Sequence, residues 1–279
     1  MTKMVCLITG GTSGLGKATA IGLAKLFDNI IILGRNQNRC EDTVSDILRR
    51  TGNHSVEYRV VELSSQKSIR RFASEFKEEN RAINLLINNA GVMLQNRVLT
   101  VDGYEATFAV NYLAPFLLTN LLIDNLRINP PSRIVNVASA FHSDKIDFNN
   151  LQGEKKFTPF NAYKLSKLAL IIFTFELSKR LSGSGITVNC FHPGFLKTGI
   201  SRGLKGVYRF GFKAASLLFG KPPEKAADDL IYLATSPDLE DVTGKYFKGR
   251  IEAKPASIAY DESIASRLWD LSLRLTGLS

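Results

Sequence analysis

Short apolar runs alternate with longer amphipathic stretches through the first two-thirds of the chain. Val5–Ile8, Ile30–Leu33, Val56–Val61, Leu85–Ile87, Ile134–Val137 and Ile186–Cys190 are rich in Ile, Val and Leu and are bounded by turn or polar residues, a pattern that predicts buried strands. Between them the apolar positions recur at helical spacing, near Gly14–Phe27, Asn38–Thr51, Ser65–Asn80, Tyr104–Leu126 and Ala162–Leu181. Strands and helices in alternation build βαβ units, so the expected class is α/β, a doubly wound parallel sheet with helices on both faces. From about Pro222 the pattern predicts a further helix, a last strand near Lys245–Lys248 and a C-terminal helix around Ser257–Leu275. No low-complexity linker or repeat divides the chain, so a single domain over residues 1–279 is expected.

Composition changes this picture little. The chain is 44% hydrophobic and 22% charged, an ordinary globular balance. No uninterrupted apolar run of about 18 residues occurs, which predicts no membrane-spanning helix. Met1–Ile8 leads directly into the first strand without the features of a secretory signal. Cys6, Cys40 and Cys190 are odd in number and far apart, which fits neither a disulfide framework nor a metal site. A reducing, cytoplasmic setting is expected.

The net charge of +10 matters more. Lys197, Arg202, Lys205, Arg209, Lys213, Lys221 and Lys225 crowd one segment in which Glu224 is the lone acid. The same segment carries Phe195, Leu196, Leu204, Val207, Tyr208, Phe210, Phe212, Leu217, Leu218 and Phe219. Three readings are open: a lid at about residues 195–221 over an apolar pocket, an interfacial helix on an anionic membrane, and a solvated charged face. The first two are compatible, and glycines at 203, 206, 211 and 220 disfavour a long regular helix. No nucleic-acid-binding motif accompanies the charge, so no nucleic-acid partner is expected.

The first strand ends in a turn containing Gly10, Thr12, Ser13, Gly14, Leu15 and Gly16. Glycines there permit a tight turn and close approach of a pyrophosphate, with the N–H groups of the following helix aimed at it. Gly11 through Lys17 also matches the start of a P-loop, but Ala18 stands where a magnesium-binding hydroxyl is required, which argues against nucleotide hydrolysis. NAD-binding turns place an acid at the end of the second strand to hold the ribose 2′-hydroxyl. Here the strand ends in Gly34-Arg35, and a guanidinium suits a 2′-phosphate, so the expected cofactor is NADP(H).

Tyr163 and Lys167 lie four residues apart and project from one helix face. A nearby ammonium lowers a tyrosine pKa, which would ready the phenol for acid–base work. With these residues in place the chain resembles the short-chain dehydrogenase/reductase family over nearly its full length. The resembling features are the glycine turn, Asn88-Asn89-Ala90-Gly91, Asn111, Ser139, Tyr163 with Lys167, and Pro193-Gly194 with Thr198. The resemblance implies a Rossmann fold and an oxidoreductase. It implies that Tyr163 exchanges a proton with the substrate oxygen and that Ser139 hydrogen-bonds that oxygen. By the same resemblance Lys167 tunes Tyr163 and holds the nicotinamide ribose, Asn111 helps hold a water beside Lys167, and Asn88 supports the sheet and the ribose. Asn89, Ala90, Gly91, Pro193, Gly194 and Thr198 would line the cofactor.

Many relatives carry Asp-Leu after the third strand, where the acid touches adenine. This chain has Glu62-Leu63 instead. Leu85–Met93, Arg133–Val137, Ser166–Ala169 and the stretch from Asp261 to Trp269 resemble the retinol dehydrogenase and WW-domain oxidoreductase branch. That branch implies a lipophilic carbonyl or alcohol substrate of retinoid, steroid or aliphatic type. The family also implies a homodimer, which the basic tail region would obstruct on one face. His54 reads as an exposed loop residue, His142 as a simple loop residue or, as the lesser reading, one lining the substrate entrance, and His192 as a structural partner near the cofactor; their spacing fits no metal. The competing class is a non-catalytic NADP(H)-sensing protein on the same fold. Such proteins typically lose the Tyr or the Lys, and this chain keeps both.

Overall fold

Leu7 packs on one side of the sheet while its neighbours Cys6 and Ile8 pack on the other, and the same alternation separates Ile31 from Ile30 and Ile32. That period of two gives the sheet two buried faces, each needing its own layer of helices. In a computed structural model that describes residues 3–196, 203–206, 210, 211, 216 and 220–278, the sheet has eight strands. They are β1 (Val5–Thr9), β2 (Asn29–Gly34), β3 (Val56–Val60), β4 (Leu85–Asn88), β5 (Ser132–Val137), β6 (Ile186–His192), β7 (Tyr246–Lys248) and β8 (Ile251–Ala253). Their order is β3-β2-β1-β4-β5-β6-β7-β8, parallel except for the β7–β8 pair. The antiparallel β8 is absent from the sequence expectation.

Helices α1 (Gly14–Leu23), α2 (Gln37–Thr51) and α6 (Pro223–Thr235) cover one face; α3 (Gln66–Glu78), α4 (Ala106–Arg127), α5 (Pro159–Arg180) and α7 (Glu262–Thr276) cover the other. Side-chain caps set several of the boundaries. Asn36 accepts from the Arg39 N–H and Gly52 closes α2 at φ +72°. Ser65, Thr158 and Asp261 cap α3, α5 and α7 in the same way. Helix α1 stops at Leu23, four residues short of the expected end, although the apolar pattern runs on to the buried Phe27.

Helix α4 departs most from expectation. Residues Ala109–Leu113 form a π-helical turn, closed by the Ala114 N–H on the Ala109 carbonyl. By length and composition α4 also suffices to cross a bilayer, because residues 106–123 carry no charge: the polar Asn111, Thr119 and Asn120 that interrupt the apolar run are neutral, and Asp124 and Arg127 come only at its end. Most of it is buried inside the fold. Phe116 and Phe173, from α4 and α5, pack against Trp269 of α7, with ring centroids 5.1 and 6.0 Å away.

Candidate active site

The strand order reverses between β1 and β4, the position at which open α/β sheets leave a crevice beyond their C-terminal edge. The loops leaving these two strands are tied together. Thr9 Oγ1 accepts from the N–H groups of Asn89 (2.9 Å) and Ala90 (3.0 Å), and Asn89 Nδ2 donates to the Thr9 carbonyl at 2.9 Å and to that of Gly10 at 3.3 Å. Gly10 and Gly14 sit at φ +66° and +53°, where L-residues with a Cβ are strained. A Cβ on Gly10 would also come within 2.9 Å of the Ala90 Cα, and one on Gly16 would run into the Gly10 carbonyl.

Helix α1 starts behind this turn, with Leu15 and Gly16 buried in its first turn. Ser13 makes no side-chain capping bond and the first turn holds no acid, so the leading N–H groups remain open to an anion. Thr12 packs its methyl beside Gly34, and Arg35 follows at the surface. Arg35 has neither a hydrogen bond nor an ion pair among the described residues. This donor set fits the pyrophosphate of a nicotinamide dinucleotide.

Glu62 is placed differently. Its Oε1 accepts from the Ser64 N–H (3.0 Å) and the Ser64 hydroxyl (2.8 Å), so the carboxylate holds its own loop. Leu63 packs against the core. Asn88 lies in the sheet rather than at the crevice, its amide donating to Thr119 Oγ1 at 3.0 Å and Asn136 Oδ1 at 2.8 Å.

The structure brings the four expected catalytic residues together. Tyr163 is 9% exposed, and the Lys167 ammonium lies 5.7 Å from its ring centroid. Lys167 Nζ donates to the Val137 carbonyl at 2.8 Å. Ser139 follows β5; its Oγ accepts from the Phe141 N–H at 3.0 Å, and its hydroxyl lies beside the Tyr163 phenol, close enough to bias its proton. Asn111, fully buried in the π-helical turn, exchanges hydrogen bonds with the Val92 N–H (2.8 Å) and carbonyl (3.0 Å) and donates to Ser166 Oγ (2.9 Å). Both Asn111 amide hydrogens are therefore engaged. The Cβ that Gly91 lacks would lie 3.5 Å from both Asn111 Oδ1 and Lys167 Nζ, so the glycine leaves open a space bordered by both groups.

Burial corrects one expectation. It pushes the Tyr163 phenol up to about 12, with the Ser139 hydroxyl opposing, whereas the neighbouring ammonium was expected to lower it. Lys167 is itself driven down to about 8 by burial, against the pull of the nearby Cys190 thiol. Sequence spacing places the pair on one face but does not reveal how far both are removed from water.

Tyr163 has apolar neighbours, two of which, Phe141 and Phe160, sequence reasoning missed. Phe141 stacks on it at 6.4 Å and meets Phe160 edge-on at 5.9 Å, while the Lys164 ammonium lies over the outer Phe141 ring. Met93 and the fully buried Leu204 pack with Tyr163 and Phe160. Leu204 had a signal as an apolar residue of the expected lid, and Phe141 as an aromatic two residues past Ser139.

Pro193 and Gly194 leave β6, Gly194 at φ +84°. Thr198 lies outside the described residues, as does much of the expected lid. The ends of that segment meet, where Lys221 N–H donates to the Phe195 carbonyl at 2.8 Å. His192 takes the structural place expected of it: its Nδ1 accepts from the Gly194 N–H at 3.2 Å and its ring stacks on Tyr246. Burial, then Lys248, His142 and Lys221, push His192 down to about 4. An unfolded-state histidine near 6.5 binds a proton that the folded state refuses between about pH 4 and 6.5, so this residue makes stability fall as pH drops through that window. Urea midpoints at pH 7 and pH 5 should differ less in His192→Asn than in wild type; equal differences would remove His192 from the account.

A family model described as short chain dehydrogenase matches residues 4–206. Human retinol dehydrogenase 13 is 46% identical over 98% of this chain and 84% of its own length. Human polyprenol dehydrogenase is 38% identical over 98% of this chain and 85% of its own. Among solved structures, an uncharacterised protein from Mycobacterium paratuberculosis has a TM-score of 0.77 at 30% identity, covering 99% of this chain and 94% of that one. RhlG of Pseudomonas aeruginosa, solved as an NADP active-site complex, has a TM-score of 0.69 at 25% identity, covering 93% of this chain and 97% of that one.

Proposed function

The chain belongs to the short-chain dehydrogenase family, an oxidoreductase acting on CH–OH groups, and from that premise we propose that it interconverts a lipophilic alcohol and its carbonyl with NADP(H). The observation that carries this reading is the convergence of Tyr163, Ser139 and the buried Lys167 ammonium, with Gly91, from the loop tied to the glycine turn, bordering that ammonium. In this reading the N–H groups around Gly10, Thr12, Ser13, Gly14, Leu15 and Gly16 hold the pyrophosphate and Arg35 holds the 2′-phosphate. Asn89, Ala90, Gly91, Pro193, Gly194 and Thr198 line the rest of the cofactor cleft. Glu62 and Leu63 border the adenine end, with one carboxylate oxygen of Glu62 already committed to Ser64.

Bound NADPH supplies the hydride. Tyr163 delivers the proton to the substrate oxygen in reduction and removes it in oxidation. Ser139 donates to the same oxygen as charge develops there; its Oγ accepts from the Phe141 N–H, which aims its one proton toward the Tyr163 side, where a substrate oxygen takes it over from the phenol. Lys167 holds the nicotinamide ribose and supports Tyr163 with its charge. Asn111 borders the same space as Lys167, and with both amide hydrogens engaged its part in holding a water falls to its remaining lone pairs.

Phe141, Phe160, Met93 and Leu204 support a lipophilic substrate, in keeping with relatives named for retinol and polyprenol. Leu204, buried against Tyr163, supports a lid role for residues 195–221. Phe210, 77% exposed in the same basic segment, supports a peripheral membrane contact by that lid. NADPH consumption with a series of aldehydes tests the whole reading, and absence of turnover with every aldehyde and alcohol would leave the non-catalytic alternative. Phe141→Ala keeps the backbone N–H that orients Ser139 and removes the ring. It should lower kcat/KM for retinal about tenfold and for butanal less than about twofold. An equal loss on both aldehydes would take Phe141 out of the substrate wall.

A further inference from the structure

We propose that Ser166 is a positioning residue for the proton-handling group, its hydroxyl fastening Asn111 to the helical turn that carries Tyr163. The proposal rests on the oxidoreductase reading above. Ser166 is fully buried in α5, three residues after Tyr163 and one before Lys167. Its hydroxyl donates to the Tyr163 carbonyl at 2.8 Å, and its oxygen accepts from Asn111 Nδ2 at 2.9 Å. A serine inside a helix competes with the backbone for hydrogen bonds and is a weaker helix former than Ala or Leu, so its place in the middle of α5 calls for a reason.

Ser178 on the same helix separates the two parts of that reason. It too is buried, and its hydroxyl donates to the carbonyl three residues back, that of Phe175, at 2.7 Å. It makes no second side-chain hydrogen bond among the described residues. The bond back to the helix is therefore common to both serines, and the bond from Asn111 is what distinguishes Ser166.

Asn111 needs such an anchor because of its position. It sits in the π-helical turn of α4, a locally irregular stretch with weaker backbone constraints than the helix on either side. Its amide is fixed at two points, the Val92 main chain and Ser166. Val92 belongs to the loop after β4 and Ser166 to α5, so the amide clamps the cofactor-side loop to the Tyr163 helix across α4. The space left by Gly91 lies between Asn111 Oδ1 and Lys167 Nζ. A shift of the amide changes what borders the ammonium but leaves the glycine turn and Arg35, which hold the phosphates in this reading, in place, so the larger effect falls on kcat.

The test is Ser166→Ala, which suits the helix and removes only the hydroxyl. Its kcat should fall about 10- to 100-fold, the scale on which small misplacements of catalytic groups act, with KM for NADPH within about twofold. Ser178→Ala should retain kcat within about twofold. Added to Asn111→Ala, Ser166→Ala should cost less than a further twofold or so, because the two act as one unit. Wild-type kcat in Ser166→Ala, or a loss that multiplies in full with that of Asn111→Ala, would overturn the proposal. If Asn111→Ala does not fold, the kcat–pH profile decides: its limb near pH 8 moves in Ser166→Ala and stays in Ser178→Ala, whereas a profile superimposing on wild type counts against the proposal. Tyr163→Phe keeps the two failures apart. An active Tyr163→Phe removes the oxidoreductase reading itself; an inactive Tyr163→Phe beside a fully active Ser166→Ala removes only the role of Ser166.

Discussion

Tyr163→Phe is expected to lower turnover by about 10²- to 10⁴-fold, the usual worth of a positioned general acid, while NADPH affinity stays within a few-fold. The substitution deletes one hydroxyl and leaves the ring. Phe141, Met93, Phe160 and Leu204 keep their packing, so loss of fold does not explain a loss of rate. Burial holds the wild-type phenol up at about 12, so at neutral pH it carries the proton that carbonyl reduction requires. Lys167, driven down to about 8, is charged below that pH and loses its proton as pH rises through it. Reduction should therefore decline above about pH 8, whereas oxidation of the alcohol, in which a proton must leave, should gain from higher pH. Steady-state NADPH absorbance in both directions, with cofactor binding followed by fluorescence, checks each part. A Tyr163→Phe enzyme that turns over at the wild-type rate would refute the assignment of the proton donor.

The features legible in the sequence are those with a short period or a fixed local spacing. Seven of the eight strands were readable, most of them because buried parallel strands are compact apolar runs, and the Tyr163–Lys167 pair because four residues make one helical turn. The π-helical turn was not. Nearly every position of Ala106–Leu118 is buried, so no polar stripe marks where the helix gains a residue. Strand β8 has three partly or fully exposed residues and leaves no burial signature. Glu62 reads as an acid in the adenine position, but its direction is set by a hydroxyl two residues on, which a family pattern does not specify. The Asn111–Ser166 bond joins positions 55 apart and exists only once α4 and α5 are packed. The sign of the Tyr163 shift belongs to the same class, since it depends on how much water the assembled pocket excludes.

Arg35→Asp should change the ratio of kcat/KM for NADPH over NADH by about 10² or more in favour of NADH. Arg35 is exposed, follows directly on β2 and has no partner among the described residues, so replacing it breaks no interaction that stabilises the fold. A charge-assisted hydrogen bond to a phosphate is worth about 1.5–3 kcal/mol, or roughly 10- to 150-fold in affinity. Asp adds repulsion of the 2′-phosphate to that loss and offers a 2′-hydroxyl an acceptor, as acids at this place do in NAD-binding turns. Arg35→Ala isolates the first contribution and should fall between wild type and Arg35→Asp. Salt provides a second check. An exposed guanidinium–phosphate pair is screened within about 8 Å at physiological ionic strength, so raising salt should weaken NADPH binding in wild type and leave NADH binding in Arg35→Asp nearly unchanged. If wild type binds the two cofactors equally, or if Arg35→Asp leaves the ratio where it was, the 2′-phosphate is held elsewhere. The guanidinium would then be an ordinary surface charge.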